Sequence, residues 1–155
     1  MENFTFISIE SGSEIPYGLL LLADETVEAI DRYIFKSDIY LLQNGVEDIA
    51  VMALYKNSNT ELEIKNIAVV ESYRSKGIGS ILMNKAKEIA KEHDYKTLTV
   101  GTSDTGFQQI RFYEKNGFIK KGILRDFFIE NYPDPIYENG LQMRDMVLLT
   151  HHLTE

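Results

Sequence analysis

The sequence predicts a mixed α/β fold with helices interspersed among strands, and three observations carry that expectation. Between residues 38 and 70 three strand-like runs follow one another, separated by the turn signals Asn44-Gly45 and KNSNT. The last of these runs leads into a glycine turn, RSKGIG at residues 74–79. Past that turn Ile81, Leu82, Ala86, Ile89 and Ala90 fall on one helical face, with Lys85, Lys87, Glu88 and Lys91 covering the rest.

Taken in order, Phe4, Phe6, Ile7 and Ile9 put apolar residues on both faces of an extended chain, which predicts a short, largely buried first strand. Gly12, Pro16 and Gly18 interrupt the chain before a Leu-rich segment. Val27, Ile30 and Ile34 then recur at helical spacing, giving an expected helix over residues 25–36. Residues 38–43, 48–56 and 61–70 read as a meander of three antiparallel strands. TLTVGT at 97–102 is the next strand, and Thr105 with Gln108 at the N3 spacing forms a capping box for a helix carrying Phe107, Ile110 and Glu114. Gly117 supplies the left-handed residue that closes it. After FIKKG, residues 126–140 read as an irregular segment rich in aromatics and acids, and MRDMVLL returns to strand character. Residues 1–150 are expected to form one domain and 151–155 a frayed tail.

Composition narrows the function. A chain of 155 residues, 44% hydrophobic, builds one ordinary core. Its longest apolar run, Ile49 to Tyr55, is far short of the roughly 20 residues of a membrane span. The N-terminus lacks the basic and apolar regions of a signal peptide, so a cytoplasmic protein without membrane attachment is expected. Cysteine is absent, which excludes disulfides, a thiolate nucleophile and Cys-ligated metals. His93, His151 and His152 form no ligand-like grouping with acids, so no metal is expected. The net charge of -8 disfavours a nucleic-acid partner and suits a small cationic ligand.

A glycine-rich turn between a strand and a helix can aim successive backbone N–H groups at one spot, reinforced by the helix dipole. That makes RSKGIG a candidate phosphate cradle. Gly77 would take a conformation closed to other residues, and Gly79 would let an anion approach the backbone. Arg74 adds charge-assisted hydrogen bonds at the rim, whereas Lys76 either does the same or faces solvent. The stretch lacks the GxxxxGK[ST] of a P-loop and the third glycine of a dinucleotide fingerprint.

Arg74-Ser75-Lys76-Gly77-Ile78-Gly79, preceded by IAVVESY, resembles the [Q/R]-x-x-G-x-[G/A] signature of the GNAT superfamily of acyl-CoA-dependent N-acyltransferases. FYEKNGF at 112–118 resembles that family's ending for the helix after the fifth strand. GTSDTGFQQIRFYEKNGF with DFF, PIYENG and MRDM is similar to a subgroup of small bacterial acetyltransferases. The resemblance spans residues 3–150 and implies a β-α-β-β-β-α-β-α-β order, with a central, mostly antiparallel mixed sheet flanked by helices. The usual family Asn seven residues before the tyrosine is replaced by Gly106, and Thr105 or Asp104 would supply its polar contact.

The resemblance further implies acetyl-CoA as donor, with its pyrophosphate on the backbone of residues 74–80, Ser80 included. Its pantetheine arm would lie along Ile67, Ala68 and Val69, residues that also read as plain sheet core. Transfer would be direct. An alkylamine with a pKa near 10.4 is only about one part in a few thousand neutral at pH 7, so a base is needed. Glu63 matches the family's glutamate base, with Asp126 and Glu138 as alternatives. Tyr113 resembles the family's general acid, and a backbone N–H near Val69 would face the oxyanion. Phe127, Phe128, Tyr132 and Tyr137, with Asp126 and Glu138 among them, would line the pocket of a small-molecule amine, and Tyr17 and Tyr33 its opposite wall. Two other readings stand beside this one: an acyl-CoA-binding sensor or structural module without turnover, and a protein or peptide N-acetyltransferase. The late strands leave homodimerisation open.

Overall fold

The computed structural model of the chain describes residues 3–153. The expected meander is present as β2 (Ser37–Asn44), β3 (Glu47–Lys56) and β4 (Glu61–Val69), each antiparallel to the next. β1 (Phe4–Ser8) pairs with β2 at one edge, and its residues are half-buried or exposed, so it is an edge strand rather than the largely buried one expected. Beyond β4 the sheet continues with β5 (Thr97–Ser103), then β9 (Met146–His152), and ends at β6 (Ile119–Leu124). Every neighbouring pair is antiparallel except β4 and β5, which run parallel and are linked through helix α3 (Ile78–Glu92).

Both faces of the sheet are covered, which is why β3 is buried continuously from Ile49 to Leu54. On one face Leu82, Met83 and Ala86 of α3, with Ile110 and Tyr113 of helix α4 (Phe107–Lys115), pack on Met52, Ile64, Leu98 and Leu149. On the other, α1 (Tyr17–Leu20) and α2 (Val27–Asp31) bring Leu20 and Ile30 onto Leu41, Val51 and Ala68.

A bulge in β4 decides where the site lies. Ala53 stands opposite Asn66 but Leu54 stands opposite Ile64, so Lys65 is an extra residue. Before the bulge Leu62 and Ile64 face α3, and after it Ile67 and Val69 do, while Asn66 and Ala68 turn to the α1 and α2 face. Parallel pairing with β5 stops at the same place, at Ile64 and Val100, although β4 runs on to Val69 and β5 to Ser103. The two central strands therefore part, and a cleft opens between their C-terminal ends.

Several expectations are corrected. The helix over 25–36 is only α2, capped by the Thr26 hydroxyl accepting from the Ala29 N–H at 3.0 Å, then a separate 3-10 turn at Ile34–Lys36, because β2 already begins at Ser37. Thr105 caps nothing, and α4 starts at Phe107 behind Gly106 without a side-chain cap. Gly117 does take the left-handed conformation, at φ +93°. Residues 119–124 form strand β6, missed because Ile119, Lys120, Lys121, Ile123 and Leu124 are all exposed at a sheet edge and show no alternation. The segment 126–140 holds α5 (Phe127–Asn131) and enters the small hairpin of β7 (Tyr137–Glu138) and β8 (Leu141–Gln142). The tail is not frayed at its start, since His151 and His152 pair with Leu98 and Thr97. No helix among the described residues is long and apolar enough to cross a membrane.

Candidate active site

The free edge of β4 is the site's backbone. Val70 N–H donates to the Ile49 carbonyl at 2.9 Å, so it faces β3. Main-chain groups alternate in direction along a strand, so the N–H groups of Val69 and Ile67 face the cleft. A cavity of about 520 Å³ occupies that cleft, bounded by Ile67, Ala68 and Val69 on one side and Gly101, Thr102 and Ser103 on the other. It has the dimensions of a small-molecule site.

At one mouth lies the glycine turn. Arg74 lines the cavity and donates from Nε to the Val69 carbonyl at 3.0 Å. Ser75 and Gly77 both adopt positive φ, 63° and 81°, which turns the chain from β4 into α3. Gly77 is the N-cap and provides no side-chain cap, so the first N–H groups of α3 are left for a ligand. Ile78 is 1% exposed and can offer a ligand its main chain alone. Gly79 has a packing reason of its own: a Cβ there would meet the Phe112 ring at 3.0 Å, so it sets the approach of α3 to α4. Lys76 sits 5.4 Å from the centre of the Tyr73 ring.

Deeper in the cavity Tyr113 forms part of the wall from α4. Its ring is wedged against Phe112 and Phe118, and burial pushes its phenol above the ordinary range, so it stays protonated at neutral pH. Phe128, Tyr132, Tyr137 and Glu138 line the same cavity. A second cavity of about 440 Å³ adjoins the first at Ile64, Lys65, Gly101, Tyr132 and Met146. Glu63, Tyr33 and Phe127 line it. Glu63 accepts from Asn57 Nδ2 at 2.9 Å and is 3.3 Å from Lys65 Nζ.

Three expected site residues lie elsewhere. Thr105 is 4% exposed and lines neither cavity, because its hydroxyl is committed to Ser103 at 2.7 Å and to Glu138 Oε1 at 3.0 Å, tying the β7 hairpin to the end of β5. Tyr17 donates to Asp31 at 2.5 Å on the surface, and Asp126 occupies a left-handed turn fixed by its N–H to Asp145 at 2.9 Å. Conversely, Asp24, Asn66, Gln108 and Gln109 line the cavity and were not anticipated. Asn66 left a signal, a short amide inside the buried run of ELEIKNIAVV. Asp24 left none, since it follows a Leu-rich stretch with no motif around it.

Asp24 is held by three donors. Its Oδ1 accepts from the Tyr132 hydroxyl at 2.7 Å and the Glu25 N–H at 2.8 Å, and its Oδ2 from the Tyr33 hydroxyl at 3.1 Å. Asn66 Nδ2 in turn donates to Tyr33 at 3.0 Å and to the Leu20 carbonyl at 3.0 Å. Burial and the Asp24 carboxylate together push the Tyr33 and Tyr132 phenols well above the usual range.

Residues 19–118 match the model of the acetyltransferase (GNAT) family. The chain is 39% identical over 150 residues, 95% of its length and 97% of the relative's, to the uncharacterized N-acetyltransferase YvbK of Bacillus subtilis. Its fold superimposes with a TM-score of 0.94, at 41% identity over 99% of this chain and all of the other, on a GNAT family acetyltransferase from Elizabethkingia anophelis with acetyl-CoA bound. A Bacillus subtilis acetyltransferase in complex with CoA superimposes at 0.89, with 36% identity over 98% of this chain and all of the other. A parted pair of central strands beside an uncapped helix start is thus found in a chain whose solved relatives carry acetyl-CoA or CoA, and this chain belongs to the GNAT acetyltransferase family as an N-acetyltransferase.

Proposed function

We propose that the enzyme moves the acetyl group directly to a primary amine of a small, cationic molecule. The observation that carries this reading is the free edge of β4, which joins the start of α3 at one end to an aromatic and acidic cavity at the other. The pyrophosphate is held by main-chain groups from Arg74 to Ser80, with Arg74 adding charge. Along Ile67, Ala68 and Val69, the main-chain groups of Ile67 and Val69 pair with the pantetheine arm as an extra strand would, while those of Ala68 between them face β3.

The chemistry then falls to few groups. The acceptor nitrogen attacks the thioester carbonyl carbon, and the Val69 N–H stabilises the oxyanion as it forms. Glu63 takes the amine proton through water in the second cavity, which meets the first at Lys65. As the carbon–sulfur bond breaks, the protonated phenol of Tyr113 gives its proton to the CoA thiolate. No acyl-enzyme is required, in keeping with a chain that has no cysteine.

The test is calorimetric titration with acetyl-CoA followed by a thiol-release screen across small amines and peptides. Micromolar binding with release driven by small amines supports the reading. Release driven only by peptides, or binding without release, overturns the acceptor assignment.

A further inference from the structure

We infer that Asp24 is the carboxylate on which the acceptor docks, and that it selects alkylammonium cations over neutral arylamines. The inference deepens the amine-acceptor reading and rests on it. Asp24 sits on the loop between α1 and α2, half-buried, and forms part of the cavity wall that also includes Ile67 and Val69. Its three donors are all neutral: two phenols and a backbone N–H. Among the described residues no Lys, Arg or His comes within 4.0 Å of it. The Arg32 guanidinium lies 5.8 Å from the centre of the Tyr132 ring and donates to the Asn131 carbonyl at 2.8 Å, and Lys65 and Arg74 line the same cavity without an ion pair to Asp24.

The direction of the hydrogens matters. Asn66 donates to Tyr33, Tyr33 donates to Asp24, and Tyr132 donates to Asp24 from the other side. The chain of donors therefore ends on one carboxylate, oriented by both phenols yet uncompensated by a cation. An independent observation points to a donor-rich ligand at the same wall. Asn66 is 4% exposed and lines this cavity, and its Oδ1 accepts from nothing among the described residues. An unpaired buried acceptor is costly to keep, and sites keep one where a ligand fills it.

An alkylammonium brings a positive charge to Asp24 and three N–H donors, one of which can serve Asn66. A neutral arylamine brings no charge and fewer donors. Phe128 and Tyr132, stacked with centroids 5.8 Å apart, supply an apolar wall for the carbon body that carries the ammonium. Asp24 holds the acceptor, and proton removal remains with Glu63 across the Lys65 junction.

The experiment measures thiol release at saturating acetyl-CoA with butylamine, putrescine, 2-phenylethylamine and aniline, for the wild type, Asp24→Asn and Tyr132→Phe. Acetyl-CoA affinity and the urea midpoint are measured on the same samples. The expected result is an alkylamine KM at least tenfold higher in Asp24→Asn, with kcat within threefold, acetyl-CoA affinity unchanged and aniline a poor acceptor for all three proteins. Tyr132→Phe, which keeps the carboxylate but removes one of its donors, is expected to raise the same KM about threefold, and it carries the test if Asp24→Asn does not fold. Unchanged alkylamine KM in a folded variant, or a wild type that prefers aniline, overturns the inference alone. A wild type that binds acetyl-CoA yet releases thiol with no amine overturns the amine-acceptor reading as well.

Discussion

Arg74 Nε donates to the Val69 carbonyl oxygen at 3.0 Å, so the first residue of the glycine turn is fastened to the last residue of β4. One guanidinium thereby holds the turn over the open strand edge and still presents charge to the cavity mouth. Arg74→Ala removes both. Acetyl-CoA Kd is expected to rise about tenfold, or about 1.4 kcal/mol. Because the contact is exposed, the urea midpoint should hardly move. Titration at two salt concentrations checks the cause: the wild-type advantage must shrink at high salt.

Gly77 and Gly79 are predicted to fail differently. Gly77 has φ +81° and open space where a Cβ would go, so Gly77→Val strains the backbone by about 1–2 kcal/mol and misdirects the N–H groups of α3. Acetyl-CoA binding should fall by far more than stability does. At Gly79 the obstacle is the Phe112 ring 3.0 Å away, so Gly79→Ala should destabilise by about 1–3 kcal/mol through overpacking. The double change Gly79→Ala with Phe112→Leu should recover much of that loss, and equal urea midpoints for the single and double variants would contradict the packing account.

Thr105→Val separates a structural from a cofactor role. The hydroxyl links Ser103 to Glu138 inside the fold, and its loss leaves a half-buried carboxylate short of a donor. We expect a loss of about 1–2 kcal/mol by denaturant titration, with acetyl-CoA affinity unchanged. A selective loss of affinity would restore Thr105 to the cofactor site.

How much of this was legible in the sequence follows from how local each cause is. The meander, α3 and the turn at 74–79 were legible because their signals are local: period-2 and helical patterning, Asn-Gly, and glycines at fixed offsets. Strand β6 was not, because IKKGIL pairs only with β9 and is a strand by partnership rather than by pattern. The bulge at Lys65 left no signal either, yet it parts β4 from β5 and turns Asn66 to the opposite face. In the cavity, Tyr113 was found by its place before Lys115, Asn116 and Gly117. Asp24 was not, since its importance comes from Tyr132, 108 positions away in the chain, whose hydroxyl reaches it.

Glu63→Gln tests the base. Glu63 lies 3.3 Å from Lys65 Nζ and faces the second cavity, so its removal should leave acetyl-CoA affinity intact. The expected loss is about 10²-fold in kcat at pH 7. The sign of the pH effect is diagnostic. As pH rises toward the amine pKa near 10.4, more acceptor arrives already neutral and less of the base is needed, so the gap between variant and wild type should narrow. A gap that is constant from pH 7 to 9.5 would assign Glu63 to structure.

Tyr113→Phe tests the acid, and burial makes a second, independent readout available. The phenol is raised above its ordinary value by desolvation, so the native state keeps its proton where an unfolded chain, near pH 10, would lose it. A folded pKa raised above the unfolded one means stability is fully present below about pH 10 and is lost as pH climbs from there toward the folded value. Tyr33 and Tyr132 are shifted the same way and add to the slope. Tyr113 contributes up to about 1.4 kcal/mol per pH unit in that window, and Tyr33 and Tyr132, less deeply buried and screened by solvent, contribute less. Urea unfolding between pH 9 and 11.5 should therefore fall less steeply for Tyr113→Phe than for the wild type. At pH 7 the same variant should lose about 10–10²-fold in kcat with little change in acceptor KM, because proton donation to the thiolate follows binding. The wild type should show no loss of kcat through ordinary tyrosine ionisation up to pH 10. If the variant matches the wild type in kcat while still flattening the alkaline unfolding curve, Tyr113 packs the helix on the sheet and the thiolate draws its proton from water.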